Sequence, residues 1–335
     1  MFVLDRSADL ANIAGDYIER QKMRDLTKQV NDIYRAESRS ELLRETVSEA
    51  IANLPKMVKI LPQNNRTAST KELVVGIGDL HYGAKIHVEG LHGETINKYD
   101  SEVFEQRMWK LLYELEDICK KEQIGRIRVF FVGDLIDGML RQSQLMRLQY
   151  GMVESTMRLS EFLAQWLNEL SEFAKVYVLA ATGNHSEVRP LGSKKGQFEE
   201  ENLEKIVMWY LFARLKDNER VYVENECKKR MLIEVQGFKF LVFHGDDEKK
   251  IEQIARDAVN LYGERIDFFV CGHKHREQDM PSGMVSTGDS VIIRVPSICG
   301  TDSFAYGKGY SGKPGAIATV IERGYGRRCI YPIQL

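Results

Sequence analysis

In this chain a few polar residue types recur directly after short apolar runs, and these types bind divalent cations or move protons. Five of the seven histidines, His81, His185, His244, His273 and His275, follow such runs immediately. Asp79, Asp134, Asp137 and Asn184 occupy equivalent places. Imidazoles and carboxylates gathered in one crevice suit Mn, Fe, Zn and similar divalent ions. No cysteine joins the set, which disfavours a closed structural zinc site. Taken singly, each residue has a plainer reading: Asp134 as a helix cap, His244 as an ordinary buried histidine. Those readings weaken together, because they must hold at five strand ends at once. His87 and His92, within 84–94, stand outside the pattern and read as surface-loop residues.

The elements that position these groups follow from the runs themselves. LVVGIGDLH (73–81), IRVFFVGDLID (127–137), VYVLAATGNH (176–185), KFLVFHGD (239–246) and FFVCGHKH (268–275) read as strands buried on both faces. Amphipathic segments over 101–122, 152–173, 197–216 and 248–262 separate them, an alternation that predicts an α/β fold. Open α/β sheets place ligands at the carboxyl ends of their strands, where the polar residues sit. Further strands are expected at 291–296 and 316–322. Between them, 300–315 is rich in Gly, Tyr and Lys. Its Tyr306, Lys308, Tyr310 and Lys313 combine stacking faces with positive charge, as single-strand nucleic-acid surfaces do. A plain loop is the other reading, since Gly and Ser form loops anyway.

Residues 1–55 read as helical. Met23, Leu26, Val30 and Ile33 share one face, and a second helix starts at Ser38 with Glu41 as a capping box and stops at Pro55. The narrow stripe, flanked by mixed charges, fits a helix seam and predicts a homo-oligomer assembled through residues 1–55. Packing onto the parent domain is the competing reading. A polar linker is expected over 62–72.

Composition bounds the partners. Hydrophobic residues make up 43% of the 335 and charged residues 29%, which excludes wholesale disorder. The 47 basic and 49 acidic side chains give a net charge of −2, too balanced for a protein that coats nucleic acid by bulk charge. The five cysteines form no CxxC pair, which fits a reducing cytoplasm. Neither a signal peptide nor a membrane-spanning run is read, so the expected location is cytoplasmic, away from membranes.

The blocks DxH (Asp79 to His81), GDxxD (Gly133 to Asp137), GNH (Gly183 to His185), HGD (His244 to Asp246) and GHxH (Gly272 to His275) stand in an order that resembles the calcineurin-like metallophosphoesterases. DLHYGAKI at 79–86, with GDLID, further resembles the SbcD-type DNA repair exonuclease branch. The resemblance implies a two-sheet α/β sandwich flanked by helices over 73–335, with 1–61 as an N-terminal helical appendage. It implies two divalent metal ions, Mn as first choice and Fe, Zn, Ni or Mg as others. Asp79, His81 and His275 would hold one ion, and Asn184, His244 and His273 the other. Asp134 would bridge them. His185, left without an ion, is suited to protonate the leaving group, and Asp137 to orient a histidine. The family places an acid directly after GNH. Here Ser186 stands there, so the expectation passes to Glu187. The implied activity is hydrolysis of a phosphodiester, with DNA favoured as substrate. A phosphomonoesterase, a small or cyclic nucleotide phosphodiesterase, and a non-catalytic scaffold are the alternatives.

Overall fold

The computed structural model describes residues 21–27, 45, 48–57, 70–138, 146–189, 197–247, 254–274, 278–281, 290–309 and 312–335. The chain divides into two compact units, Met1–Pro55 and Lys56–Leu335. In the first, residues 21–27 and 48–52 include helix, and Met23 and Leu26 are 63% and 58% exposed. Val30 and Ile33, the other half of the expected seam, lie outside the described residues.

The second unit is a mixed α/β structure with two main sheets. One has the order β13 (Gly326–Gln334), β12 (Gly315–Glu322), β1 (Lys71–Ile77), β4 (Arg126–Phe131), β5 (Lys175–Ala180), β6 (Val221–Val223). The other runs β10 (Gln278–Pro281), β11 (Val291–Arg294), β9 (Phe268–Cys271), β8 (Phe238–Phe243), β7 (Arg230–Val235). Strands β1, β4, β5 and β6 are parallel, as are β8, β9 and β11, while β12, β13, β7 and β10 run antiparallel at the flanks.

The apolar runs have two faces to bury, and the fold buries both. Val74, Phe130, Leu179 and Ile317 of the first sheet meet Phe240, Val242, Val270 and Ile293 of the second in a shared core. The outer face of the first sheet packs on helices α1 (Ser101–Glu122), α2 (Met152–Leu170) and α3 (Leu203–Arg214). The outer face of the second packs on α4 (Ile254–Tyr262). Helix α1 starts where Asp100 accepts a hydrogen bond from the Val103 N–H at 3.0 Å, and it buries Phe104, Met108, Leu111 and Leu115 on one stripe. The fully buried Trp166 of α2 donates its indole N–H to the Met108 carbonyl at 2.8 Å, so its polar end is satisfied.

Three boundaries differ from the sequence reading. Strand β1 begins inside the expected linker, because Glu72 is buried and paired with Arg126 (3.2 Å) and Arg128 (2.7 Å) rather than solvated. A hairpin, β2 (Ile86–Glu89) with β3 (Thr95–Tyr99), occupies the expected surface loop. His87 and His92 are exposed there, while Asn97 donates to the carbonyls of Cys299 (2.9 Å) and Thr301 (2.8 Å). The 300–315 stretch contains a short helix, α5 (Ser303–Gly307), and Tyr306 packs partly against the main core.

Candidate metal centre

The carboxyl ends of β1, β4 and β5 from one sheet and of β8 and β9 from the other deliver Asp79, Asp134, Asn184, His244 and His273 to one place. The backbone must turn sharply there. Six non-glycine residues have positive φ among the described residues, and four of them are Asp79 (50°), His81 (44°), Asp134 (55°) and His273 (69°). Such conformations are costly for L-residues and persist where surrounding contacts over-determine them. The loops also approach closely. A Cβ on Gly183 would lie 2.2 Å from both the amide nitrogen and Oδ1 of Asp134. A Cβ on Gly133, itself at φ +91°, would lie 2.8 Å from His244 Nδ1. Glycine at these two positions lets three ligand-bearing loops touch.

His244 shows what the site is built to hold. Its Nδ1 lies 2.9 Å from the Val132 carbonyl, which can only accept, so the network assigns the proton to Nδ1. Nε2 then presents a lone pair. Around it stand Asp134 Oδ2 at 3.0 Å, Asn184 Oδ1 at 3.1 Å and His273 Nδ1 at 3.1 Å. Four atoms that can each offer a lone pair converge there, an arrangement that fits a cation. The carbonyl bond to Nδ1 is the usual way a ligand histidine is oriented. In the absence of a cation a proton takes that place. Burial opposes charging His244, but Asp134, Asp79 and Asp246 outweigh it and push the ring up to about 10. Burial, and then the neighbouring His244, bring His273 down to about 4.

Asp134 is shared between two donor groups, Asp134–His244–His273 and Asp79–His81–Asp134. In the second, His81 Nε2 lies 3.8 Å from Asp79 Oδ1 and 3.9 Å from Asp134 Oδ2. Asp134 Oδ1 accepts the His185 N–H at 2.7 Å, which fixes the carboxylate. Burial opposes its ionisation, yet His244, His185 and His81 hold it well below the usual carboxylate range. Two adjacent donor groups sharing one carboxylate could hold two divalent ions.

Asp137 sits to one side. Its Oδ1 is 2.8 Å from His185 Nδ1 and 3.5 Å from His81 Nδ1. Burial raises its carboxyl, but the bonds to His185 and His81 dominate and keep it ionised. The rings of His81 and His185 meet edge to face with centroids 4.4 Å apart.

The structure thus brings together Asp79, His81, Asp134, Asp137, Asn184, His185, His244 and His273. His275 and Tyr310 lie outside the described residues. Lys308 and Lys313 are exposed on the segment after α5. Glu187 is buried, but its carboxylate is bound by Arg189 through both Nε (2.8 Å) and Nη2 (2.5 Å). The acid that meets Ser186 is Glu204, in the first turn of α3. The Ser186 hydroxyl donates to Glu204 Oε1 at 2.9 Å. The amides of Leu135 and Gly183 donate to Oε1 and Oε2 at 2.8 and 2.6 Å. Burial, and then repulsion by Asp134, push Glu204 up to about 7 against the pull of those amides. Nothing in the sequence singles it out, because four glutamates fall within positions 199–204 and only packing shows which one turns inward.

A prophage relative, the SPbeta prophage-derived uncharacterized protein YonJ of Bacillus subtilis (strain 168), is 29% identical over 315 residues, covering 92% of this chain and 76% of its own. Among solved structures, a novel archaeal phosphodiesterase is 13% identical with a TM-score of 0.38, over 78% of this chain and 99% of that one. A dimetal phosphatase from Danio rerio is 11% identical with a TM-score of 0.39, over 78% and 98%. Zinc-bound Vps29 from Entamoeba histolytica is 12% identical with a TM-score of 0.36, again over 78% and 98%. The calcineurin-like phosphoesterase family model matches residues 73–277, the stretch that carries every strand-end block described above, and the chain belongs to that family.

Proposed function

We propose that this protein is a two-metal phosphodiesterase acting on nucleic acid, with DNA as the first substrate to test. The observation that carries the metal chemistry is the convergence of Asp134, Asn184 and His273 on His244 Nε2, with Asp134 shared by the neighbouring group. Asp79, His81 and His275 are assigned to one ion, and Asn184, His244 and His273 to the other. Mixed Asp, Asn and His donors make Mn the first choice. Two such ions supply Lewis acidity, polarising phosphoryl oxygen and making water a competent nucleophile near neutral pH. The protein's own groups do the rest. Asp134 fixes the spacing of the two donor groups. Asp137 accepts from Nδ1 of His185 and leaves its Nε2 to deliver the proton to the departing oxygen.

The preference for nucleic acid rests on the DLHYGAKI and GDLID blocks and on the basic, tyrosine-bearing segment after α5. Manganese-supplemented turnover of DNA, bis-p-nitrophenyl phosphate, p-nitrophenyl phosphate and cyclic nucleotides tests it. Turnover of p-nitrophenyl phosphate alone would make the protein a phosphomonoesterase. Turnover of cyclic nucleotides alone would make it a small-nucleotide phosphodiesterase, and no turnover at all a scaffold. If the segment grips a polynucleotide, Lys308→Ala with Lys313→Ala should raise KM for DNA and reduce the salt slope by about two, one per lost phosphate contact. Bis-p-nitrophenyl phosphate is too short to reach those lysines and should be turned over as before. Equal losses on both substrates would point to a defect in the fold.

The same reading assigns residues 1–55 to self-association. Exposed Met23 and Leu26 support it, as does the division of the chain at Pro55. Deletion should stop at residue 55, because Met57 packs against the main core. The shortened protein should scatter light as a single chain while turning over bis-p-nitrophenyl phosphate normally. An unchanged particle mass rejects the assembly role.

A further inference from the structure

We infer that Glu204 is a positioning residue that ties the loop after β4 to the loop after β5 and so sets the distance between Asp134 and Asn184. The inference rests on the dinuclear reading above and concerns residues that reading does not use. The first turn of α3 holds the second of these loops at several points. The Asn202 amide donates to the Gly183 carbonyl at 2.9 Å, and the Leu203 N–H to the Ser186 carbonyl at 2.9 Å. Within that turn, Glu204 is the residue whose side chain reaches both loops. Its Oε2 accepts from Gly183, next to Asn184, and its Oε1 accepts from Leu135, next to Asp134, and from Ser186.

The chemistry requires a carboxylate here. Two backbone N–H groups from different loops meet two different oxygens of one side chain. Glutamine has the same shape but one oxygen, so one amide N–H would face its NH2 group. Aspartate is one methylene shorter and cannot span the same separation. The site is fully buried, so water does not repair the loss. Packing alone would accept glutamine readily, and the two explanations therefore separate on that one substitution.

The test compares Glu204→Gln with Glu204→Ala in the full chain, using hydrogen exchange, manganese affinity and steady-state kinetics. In metal-free protein, Glu204→Gln should speed amide exchange in the segments holding Leu135 and Gly183, while α1 and α2 stay protected. Manganese affinity should fall about 10–100-fold, the usual cost of losing a group that orients metal ligands. For bis-p-nitrophenyl phosphate, kcat should fall by a similar factor and KM by less than about threefold either way. Glu204→Gln should lie close to Glu204→Ala in all of these. Wild-type exchange and manganese affinity in Glu204→Gln would overturn the inference and leave the residue a space-filler. If Glu204→Gln does not fold, Ser186→Ala removes one of the three bonds to Glu204, together with the bond that the Ser186 hydroxyl accepts from the Ile136 N–H at 3.2 Å, and should weaken manganese binding several-fold with the fold intact. Unchanged binding in Ser186→Ala would then overturn it. Exchange and metal affinity are read without substrate, so an inactive wild type would defeat the phosphodiesterase reading and leave this inference standing or falling on its own.

Discussion

Asp134→Ala should reduce kcat/KM by at least about 10³-fold, a loss of about 4 kcal/mol of transition-state stabilisation, and should leave the protein unable to retain its pair of ions. Asp134 is the residue that the Asp79–His81–Asp134 and Asp134–His244–His273 groups have in common, and it is buried. Removing it separates the groups and leaves His244 Nε2 with one anionic neighbour fewer. Asp134→Asn is the informative companion. It can still accept the His185 N–H through Oδ1, so the loop geometry survives, but it offers a neutral amide where Oδ2 met His244. Both variants should lose metal on dialysis, as measured by elemental analysis. Both should also lose most of the metal-dependent rise in Tm, which for a ligand at about 100 times its Kd is worth about 2.7 kcal/mol. Two ions retained by Asp134→Asn, with a rate within tenfold of wild type, would end the shared-carboxylate reading.

Much of this site was legible in the sequence for a physical reason. Strands buried on both faces must be apolar throughout, so the polar residues just after each run mark where the strand leaves the core. That is why Asp79, Asp134, Asn184, His244 and His273 could be picked from one pattern, and why α1 falls on 101–122 as its stripe predicts. Which runs share a sheet was not legible from periodicity. An apolar run bears no mark of its neighbour, and only the family resemblance supplied two sheets. Edge strands failed for the opposite reason. The edge strands β7 and β13 lie outside the apolar runs, because the charged Arg230, Glu234, Arg327 and Arg328 interrupt their pattern.

The supports of the site were the least legible part. Glu72 looked like linker and is a buried ion-pair partner of two arginines. Glu187 looked like the substitute for an acid after GNH, but Arg189 binds it and Glu204 meets Ser186 instead. Around Glu204 the chain offers several similar acids, and long-range packing decides which is drawn in. Local pattern cannot carry that information, since the partners lie 54 positions away for Glu72 and Arg126 and 69 for Glu204 and Leu135. The functional side chains are announced by where strands end, whereas the residues that hold them are announced only by the fold.

His185→Gln should keep both ions and lose roughly 10²–10⁴-fold in kcat on a substrate with a poor leaving group, the usual range for a general acid. The geometry admits a rival. His81, Asp137 and His185 also form a trio of donors close enough to hold an ion. Against that, Asp137 Oδ1 lies at hydrogen-bond distance, 2.8 Å, from His185 Nδ1, and the carboxylate is held ionised by its bonds to His185 and His81. An ionised acceptor at that distance keeps the proton on Nδ1 and commits that side of the ring to Asp137. Nε2 is then the atom that can give a proton and take it back. Two measurements separate the readings. The loss should shrink for bis-p-nitrophenyl phosphate, whose p-nitrophenolate leaves without help, and should be full for DNA, whose alkoxide does not. Metal content should stay at the wild-type value. Asp137→Asn should reproduce most of the rate loss, because it removes the anion that fixes the ring while leaving His185 in place. A His185→Gln protein that is short of one ion, and equally slow on both substrates, would make His185 a ligand and transfer the proton to another group.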